Sequence, residues 1–257
     1  MPDVVIGTTR IPYRVEGAGS ALVLVHGTGA GAQMWEPLLP ALAEQHTVIV
    51  PDLSGSAAVD DDGDLTVEQL ADQVVGVIED SGVGRAHVLG FSLGAPVALA
   101  VAATRADLVD RLMAVAGWVH SDGDEYLRLM MTTWRALGEV SSTDFGRFAT
   151  LTAFSRDHLQ SIGRDAVEGN TTYMQPTPGT NRQIDLGLRV DIRHLLPRIT
   201  TTTLVVGCGR DATVPVENSR ALHAALPDSS YAELDTGHVA VFERPGEFTE
   251  LVTGFLR

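Results

Sequence analysis

The 257-residue chain carries 33 acidic against 18 basic side chains, a formal charge of −15, and every one of the 18 is arginine. Without lysine it cannot form a Schiff base, a Walker-type phosphate loop or a covalent pyridoxal-phosphate site, each of which needs an amine or ammonium. The acidic excess argues against a nucleic-acid partner, which must be met by a basic face. The single cysteine, Cys208, cannot make an internal disulfide or a cysteine-pair zinc site. The first residues, Met1-Pro2-Asp3-Val4-Val5, lack the pattern of a signal peptide, and no apolar run approaches the roughly 18 residues of a membrane span. A cytoplasmic protein, not bound to membrane or nucleic acid, is expected. Nothing in the sequence fixes oligomeric state, which leaves room for a homo-oligomer.

Val4–Ile6 and Ile11–Val15, separated by Gly7 and Thr8, predict an edge hairpin. Short apolar runs then predict strands at Ala21–His26, Thr47–Val50, Ala86–Phe91, Leu112–Gly117, Thr202–Gly207 and Ser230–Leu234. Between them, helical patterns fall at Trp35–Glu44, Val67–Ser81, Leu93–Thr104, Val216–Leu226 and Gly246–Leu256. Thr66 and Gln69 make a capping box ahead of the second helix. The acidic run Asp60-Asp61-Asp62-Gly63-Asp64 misplaces the glycine and glutamate of a calcium loop and reads as solvated. Buried apolar strands alternating with helices predict an α/β fold, a mostly parallel sheet flanked by helices. Residues 119–196 break that alternation with helical patterns and no clear strand. We expect a helical cap here, a lid rich in Met and aromatic residues, inserted into a core of residues 1–118 and 197–257. Its position between two strands places it over the sheet edge where such folds bind ligands.

Gly90-Phe91-Ser92-Leu93-Gly94 joins a predicted strand to a predicted helix. A G-x-S-x-G in that setting is a nucleophile elbow: the glycines admit a tight turn that projects the serine above the sheet. A serine hydroxyl needs a base, and His238 lies just after the last predicted strand, at the same edge. The base needs an orienting acid, and Asp211 follows the preceding strand. Asp235 and Asp122 are alternatives on position alone. His26 reads as a loop-shaping residue and His120 as facing the pocket, while His46, His87, His158, His194 and His223 read as surface or packing residues. Cys208 reads as a packed thiol.

These motifs occur in the order Ser, Asp, His, and with them the chain resembles the α/β-hydrolase superfamily over its whole length, as a serine-nucleophile, cap-bearing member. His26-Gly27-Thr28-Gly29 is similar to the family's oxyanion loop, and Asp52-Leu53-Ser54-Gly55 to the start of its D-x-x-G-x-G loop, the final glycine being lost. The resemblance implies that Ser92, Asp211 and His238 are catalytic and that the backbone N–H groups of Thr28 and Leu93 form the oxyanion hole. It implies no cofactor and no metal, a small-molecule substrate, and hydrolysis of an ester-like bond through an acyl-enzyme. The same residues serve carbon–carbon bond hydrolysis, acyl transfer, thioester cleavage and perhydrolysis. They also allow a place in secondary-metabolite tailoring, and related scaffolds act as small-molecule receptors. Gly27-x-Gly29-x-x-Ala32, with Asp52 some twenty residues on, also fits a dinucleotide fingerprint, but that reading leaves the other three loops unexplained.

Overall fold

A computed structural model describes residues 1–173 and 175–257. The chain runs β1 (Asp3–Ile6), β2 (Thr9–Gly17), β3 (Ser20–Val25), α1 (Leu39–Leu42), β4 (His46–Pro51), α2 (Val67–Ser81), β5 (Ala86–Phe91), α3 (Gly94–Thr104) and β6 (Val109–Val115). Four helices follow: α4 (Glu125–Val140), α5 (Ser142–Ala153), α6 (Arg156–Tyr173) and α7 (Pro178–Gly187). The chain closes with β7 (Thr202–Cys208), α8 (Val216–Ala225), β8 (Ser229–Leu234), α9 (Ala240–Glu243) and α10 (Pro245–Leu256). The 8-stranded sheet has the order β1-β2-β4-β3-β5-β6-β7-β8. β1 and β2 form the edge hairpin, β2 meets β4 antiparallel, and every later pairing is parallel.

Side chains alternate across each strand, and this divides the core in two. Val23, Val25, Val88 and Leu112 pack with α2 and α3 on one face. Leu22, Leu24, Leu89 and Met113 pack with α1 and α10 on the other. With both faces covered, β5 is buried along its whole length and β3 from Ala21 onward, which is why they read as continuous apolar runs.

The helix expected over Trp35–Glu44 is instead a 3-10 turn at Ala32–Trp35 and the single turn of α1. Pro37 and Pro40 each remove an N–H donor from that stretch, so a continuous helical ladder cannot form. β6 ends at Val115, short of the expected Gly117, because Ala116 turns to φ +48°. α6 bends at Gly163, whose φ of +79° breaks the helical path.

The chain leaves β6 and returns to β7 through two segments that pair with each other. Ser121 N–H donates to the Val190 carbonyl (2.9 Å) and Ile192 N–H to that of Val119 (2.8 Å). His120 and Asp191 form the bridge between them. α4 to α7 are therefore anchored by a two-stranded neck. Among the described residues, no helix is long and apolar enough to cross a membrane.

Candidate active site

Parallel pairing aligns the strands' C-terminal ends: Phe91 of β5 lies opposite Val115, Val115 opposite Val206, and Cys208 opposite Leu234 of β8. The loops leaving β5, β7 and β8 emerge at one edge and carry Ser92, Asp211 and His238. Ser92 adopts φ +55°, a left-handed conformation that costs a non-glycine residue roughly 1–3 kcal/mol. The flanking glycines make the turn feasible. A Cβ at Gly90 would sit 2.1 Å from the Gly94 carbonyl oxygen, and one at Gly94 would sit 2.3 Å from that of Val25.

The Ser92 hydroxyl lies 2.9 Å from His238 Nε2, and His238 Nδ1 lies 2.6 Å from Asp211 Oδ2. Oδ1 of the same carboxylate accepts the N–H groups of Thr213 (2.7 Å) and Val214 (2.8 Å), which fixes its plane. The Asp211 side chain is only 1% exposed, so the carboxylate faces a buried imidazole with little screening. The two alternative acids lie elsewhere. Asp235 is a surface partner of Arg210 and Arg244, and Asp122 is an exposed partner of Arg193. His120, expected at the pocket, is instead in the neck, with Nδ1 against the Asp122 carbonyl (3.0 Å). Its neighbours there account for it: the bridge to Asp191 turns the residue into the base of the insertion.

The loop after β3 approaches Ser92 closely; a Cβ at Gly27 would lie 2.9 Å from Ser92 Cβ. Among the described residues, neither the Thr28 nor the Leu93 backbone N–H has an acceptor within the protein. The Leu93 group belongs to a buried residue, where an unpaired N–H is rare. Three side chains hold the loop's path. His26 accepts the Leu53 N–H at Nε2 (3.0 Å) and donates from Nδ1 to the Gly27 carbonyl (2.8 Å). Burial pushes its pKa down, which keeps it neutral and suits this donor–acceptor pair. Asp52 Oδ1 accepts the Ala32 N–H (2.7 Å), so the carboxylate that the dinucleotide reading would turn toward a ribose is committed to the loop.

Gln183 of α7 is the third tie. Its Oε1 accepts the Gly29 N–H (2.7 Å) and its Nε2 donates to the Ser54 carbonyl (2.8 Å), joining the inserted helices to two core loops. No sequence motif marks Gln183. The acidic run contributes another such tie, correcting its reading as a wholly solvated loop. Asp61 pairs with Arg182 of α7, and both side chains are largely buried. Glu243 similarly joins α6 to the histidine loop, accepting from Ser155 N–H (2.6 Å) and Gly237 N–H (3.1 Å).

A cavity of about 150 Å³ opens onto Ser92 and His238. Its walls include Met34, Phe91, Trp134, Phe154 and Phe242, and among the described residues no Asp, Glu or Arg lines it. Cys208 lies behind the histidine loop, and burial pushes its thiol up to about 12, so it is an inert packed group.

The model of the alpha/beta hydrolase family matches residues 22–251. A pyrrolizixenacetamide deacetylase of Xenorhabdus hominickii is 36% identical over 261 residues, spanning 100% of this chain and 98% of its own. Among solved structures, the enol-lactonase of Burkholderia xenovorans LB400 superposes with a TM-score of 0.86 at 22% identity, over 99% of each chain. A thermophilic esterase of Thermogutta terrifontis does so with a TM-score of 0.83 at 24% identity, over 97% of this chain and 93% of that one.

Proposed function

The chain belongs to the α/β-hydrolase family and is a hydrolase, and we propose that it cleaves the acyl bond of a small, neutral ester or amide through an acyl-enzyme on Ser92. The observation that carries this reading is the unbroken chain of contacts from Ser92 Oγ through His238 to Asp211. His238 Nε2 takes the Ser92 proton as Oγ attacks the carbonyl carbon, and Asp211 stabilises the imidazolium. The tetrahedral oxyanion is held by the Thr28 and Leu93 N–H groups, which have no other acceptor among the described residues. His238 then passes the proton to the departing oxygen or nitrogen. Water attacks the acyl-enzyme by the same route in reverse, releasing the acid and restoring Ser92.

The walls favour a neutral substrate, since an ionised group would lose its hydration without gaining a partner. A cavity near 150 Å³ holds a group about the size of benzene, which favours a short acyl chain or a compact ring. Amides enter beside esters because the 36%-identical relative is named for removing an acetyl group from an acetamide. The test is covalent. A fluorophosphonate should label Ser92, identified by peptide mass spectrometry, and Ser92→Ala should lower turnover of an activated acetate ester roughly a million-fold while remaining folded. A folded protein that is not labelled, or a Ser92→Ala variant with unchanged turnover, would refute the assignment.

A further inference from the structure

Threonines on helices often return their hydroxyl to a backbone carbonyl three or four residues earlier. This protein follows that habit: Thr104 bonds the Ala100 carbonyl (2.7 Å), Thr152 that of Phe148 (3.0 Å) and Thr253 that of Thr249 (3.0 Å). Thr150, on the same helix as Thr152, does not. It is 5% exposed and lines the cavity, yet its hydroxyl makes no hydrogen bond among the described residues. Nor is that oxygen among the buried polar atoms sealed in packing without a partner, so it retains access to open space, and the cavity is the space beside it.

Asn170 of α6 lines the same cavity, and its side-chain amide likewise has no hydrogen-bond partner among the described residues. Leaving aside Ser92, His238 and Thr28, the remaining lining side chains with a polar atom are Trp134, whose indole N–H is sealed in packing without a partner among the described residues, and Tyr173. Tyr173 is half exposed and rests edge-on against Phe242, with burial and the nearby Glu36 raising its phenol's pKa. Apart from the half-exposed Tyr173, the lining given by α5 and α6 is thus apolar except for one hydroxyl and one carboxamide, neither bonded to a carbonyl of its own helix among the described residues. Each is neutral, and each can both donate and accept.

We propose that Thr150 and Asn170 form a second recognition point, which hydrogen-bonds a secondary amide or lactam carried by the substrate apart from the bond being cleaved. An ionised group is disfavoured because no Asp, Glu or Arg lines the cavity among the described residues, and an ether would use only donors. An amide presents a neutral N–H and C=O side by side, and the pair offers an acceptor and a donor to match. In an apolar cavity these contacts discriminate, because a substrate lacking the amide leaves the hydroxyl of Thr150, a residue only 5% exposed, without a partner. The proposal rests on the Ser92 reading for the location of the substrate, so binding and turnover must be read separately.

The probes are two matched pairs of acyl compounds. 4-Nitrophenyl N-acetylglycinate is compared with 4-nitrophenyl pentanoate, and N-(2-acetoxyethyl)acetamide with pentyl acetate. In each pair the amide replaces two methylenes at constant chain length. At least one amide member should exceed its hydrocarbon isostere roughly 10-fold or more in kcat/KM. That ratio should fall to near one in Thr150→Val and in Asn170→Ala, and Thr150→Ser, which keeps the hydroxyl, should restore much of it. The same preference should appear as tighter calorimetric binding to Ser92→Ala protein, where nothing is cleaved. Turnover of both pairs with no amide preference, or a preference unmoved by both variants, overturns the proposal. Preferential binding of the amide member without turnover or labelling overturns the Ser92 reading and supports this one.

Discussion

Gln183→Met isolates what the inserted helices do for the oxyanion loop. Methionine fills nearly the same volume, so no cavity is opened, but both polar contacts vanish. The Gly29 N–H loses its acceptor at 2.7 Å and the Ser54 carbonyl its donor at 2.8 Å, at a site that is 1% exposed. Each stranded backbone group costs about 1–3 kcal/mol, so we expect a loss of roughly 2–6 kcal/mol in chemical denaturation. The catalytic effect has a separate ceiling. Complete loss of one oxyanion donor costs about 100- to 1000-fold in kcat. His26 and Asp52 still hold the loop on either side of Thr28, so a kcat loss of roughly 10- to 100-fold is expected. KM should change little, because the oxyanion forms only after binding. Steady-state kinetics at a temperature well below the variant's Tm reads the two parameters apart. A variant that loses stability while keeping wild-type kcat would show that Gln183 braces the fold without setting the loop.

Three further outcomes follow from contacts elsewhere. Gly94→Ala places a Cβ 2.3 Å from the Val25 carbonyl oxygen, so α3 must move off β3; about 1–3 kcal/mol of stability and most of the activity should be lost. Asp61→Asn removes the charge that meets Arg182 at a largely buried contact between the insertion and the core, and should lower stability by about 1–3 kcal/mol, measured by thermal unfolding. Tyr13 donates to Asp80 at 2.6 Å, and burial together with that carboxylate pushes its phenol up from 10.0 to about 12. Because the folded value is the higher one, the associated stability is present below pH 10 and is lost as pH rises toward 12. Tyr13→Phe should flatten part of the decline in that window, and Tyr231, raised to about 12 as well, should supply what remains.

The parts of this site that were legible in the sequence are those governed by local sterics. The turn around Ser92 can be read from five residues because clashes at Gly90 and Gly94 forbid side chains there whatever the rest of the chain does. Strands read well because those buried on both faces carry unbroken apolar runs. The helix expected at Trp35–Glu44 shows the limit of periodicity: the apolar spacing is right, but Pro37 and Pro40 overrule it by removing donors. Contacts between distant segments left no such mark. Asp61 sits in a run that looks solvated, and only its partner 121 positions later takes it out of water. Gln183 and Thr150 are ordinary residues of amphipathic helices until the fold sets one against a loop and the other beside a cavity.

Among the described residues no Asp, Glu or Arg lines the cavity, and within a molecule of charge −15 this gives the proposed reaction a direction. A neutral acyl compound enters without electrostatic penalty, but cleavage creates a carboxylic acid that ionises at neutral pH. Beyond His238 and the two free N–H groups, that newly formed anion finds no arginine among the described wall residues and meets an acidic field outside, which favours its departure. An amine released on the other side becomes a cation and is drawn outward by the same field. Product thus clears by changing its charge, and accumulated carboxylate should be a poor inhibitor even when it matches the cavity in shape.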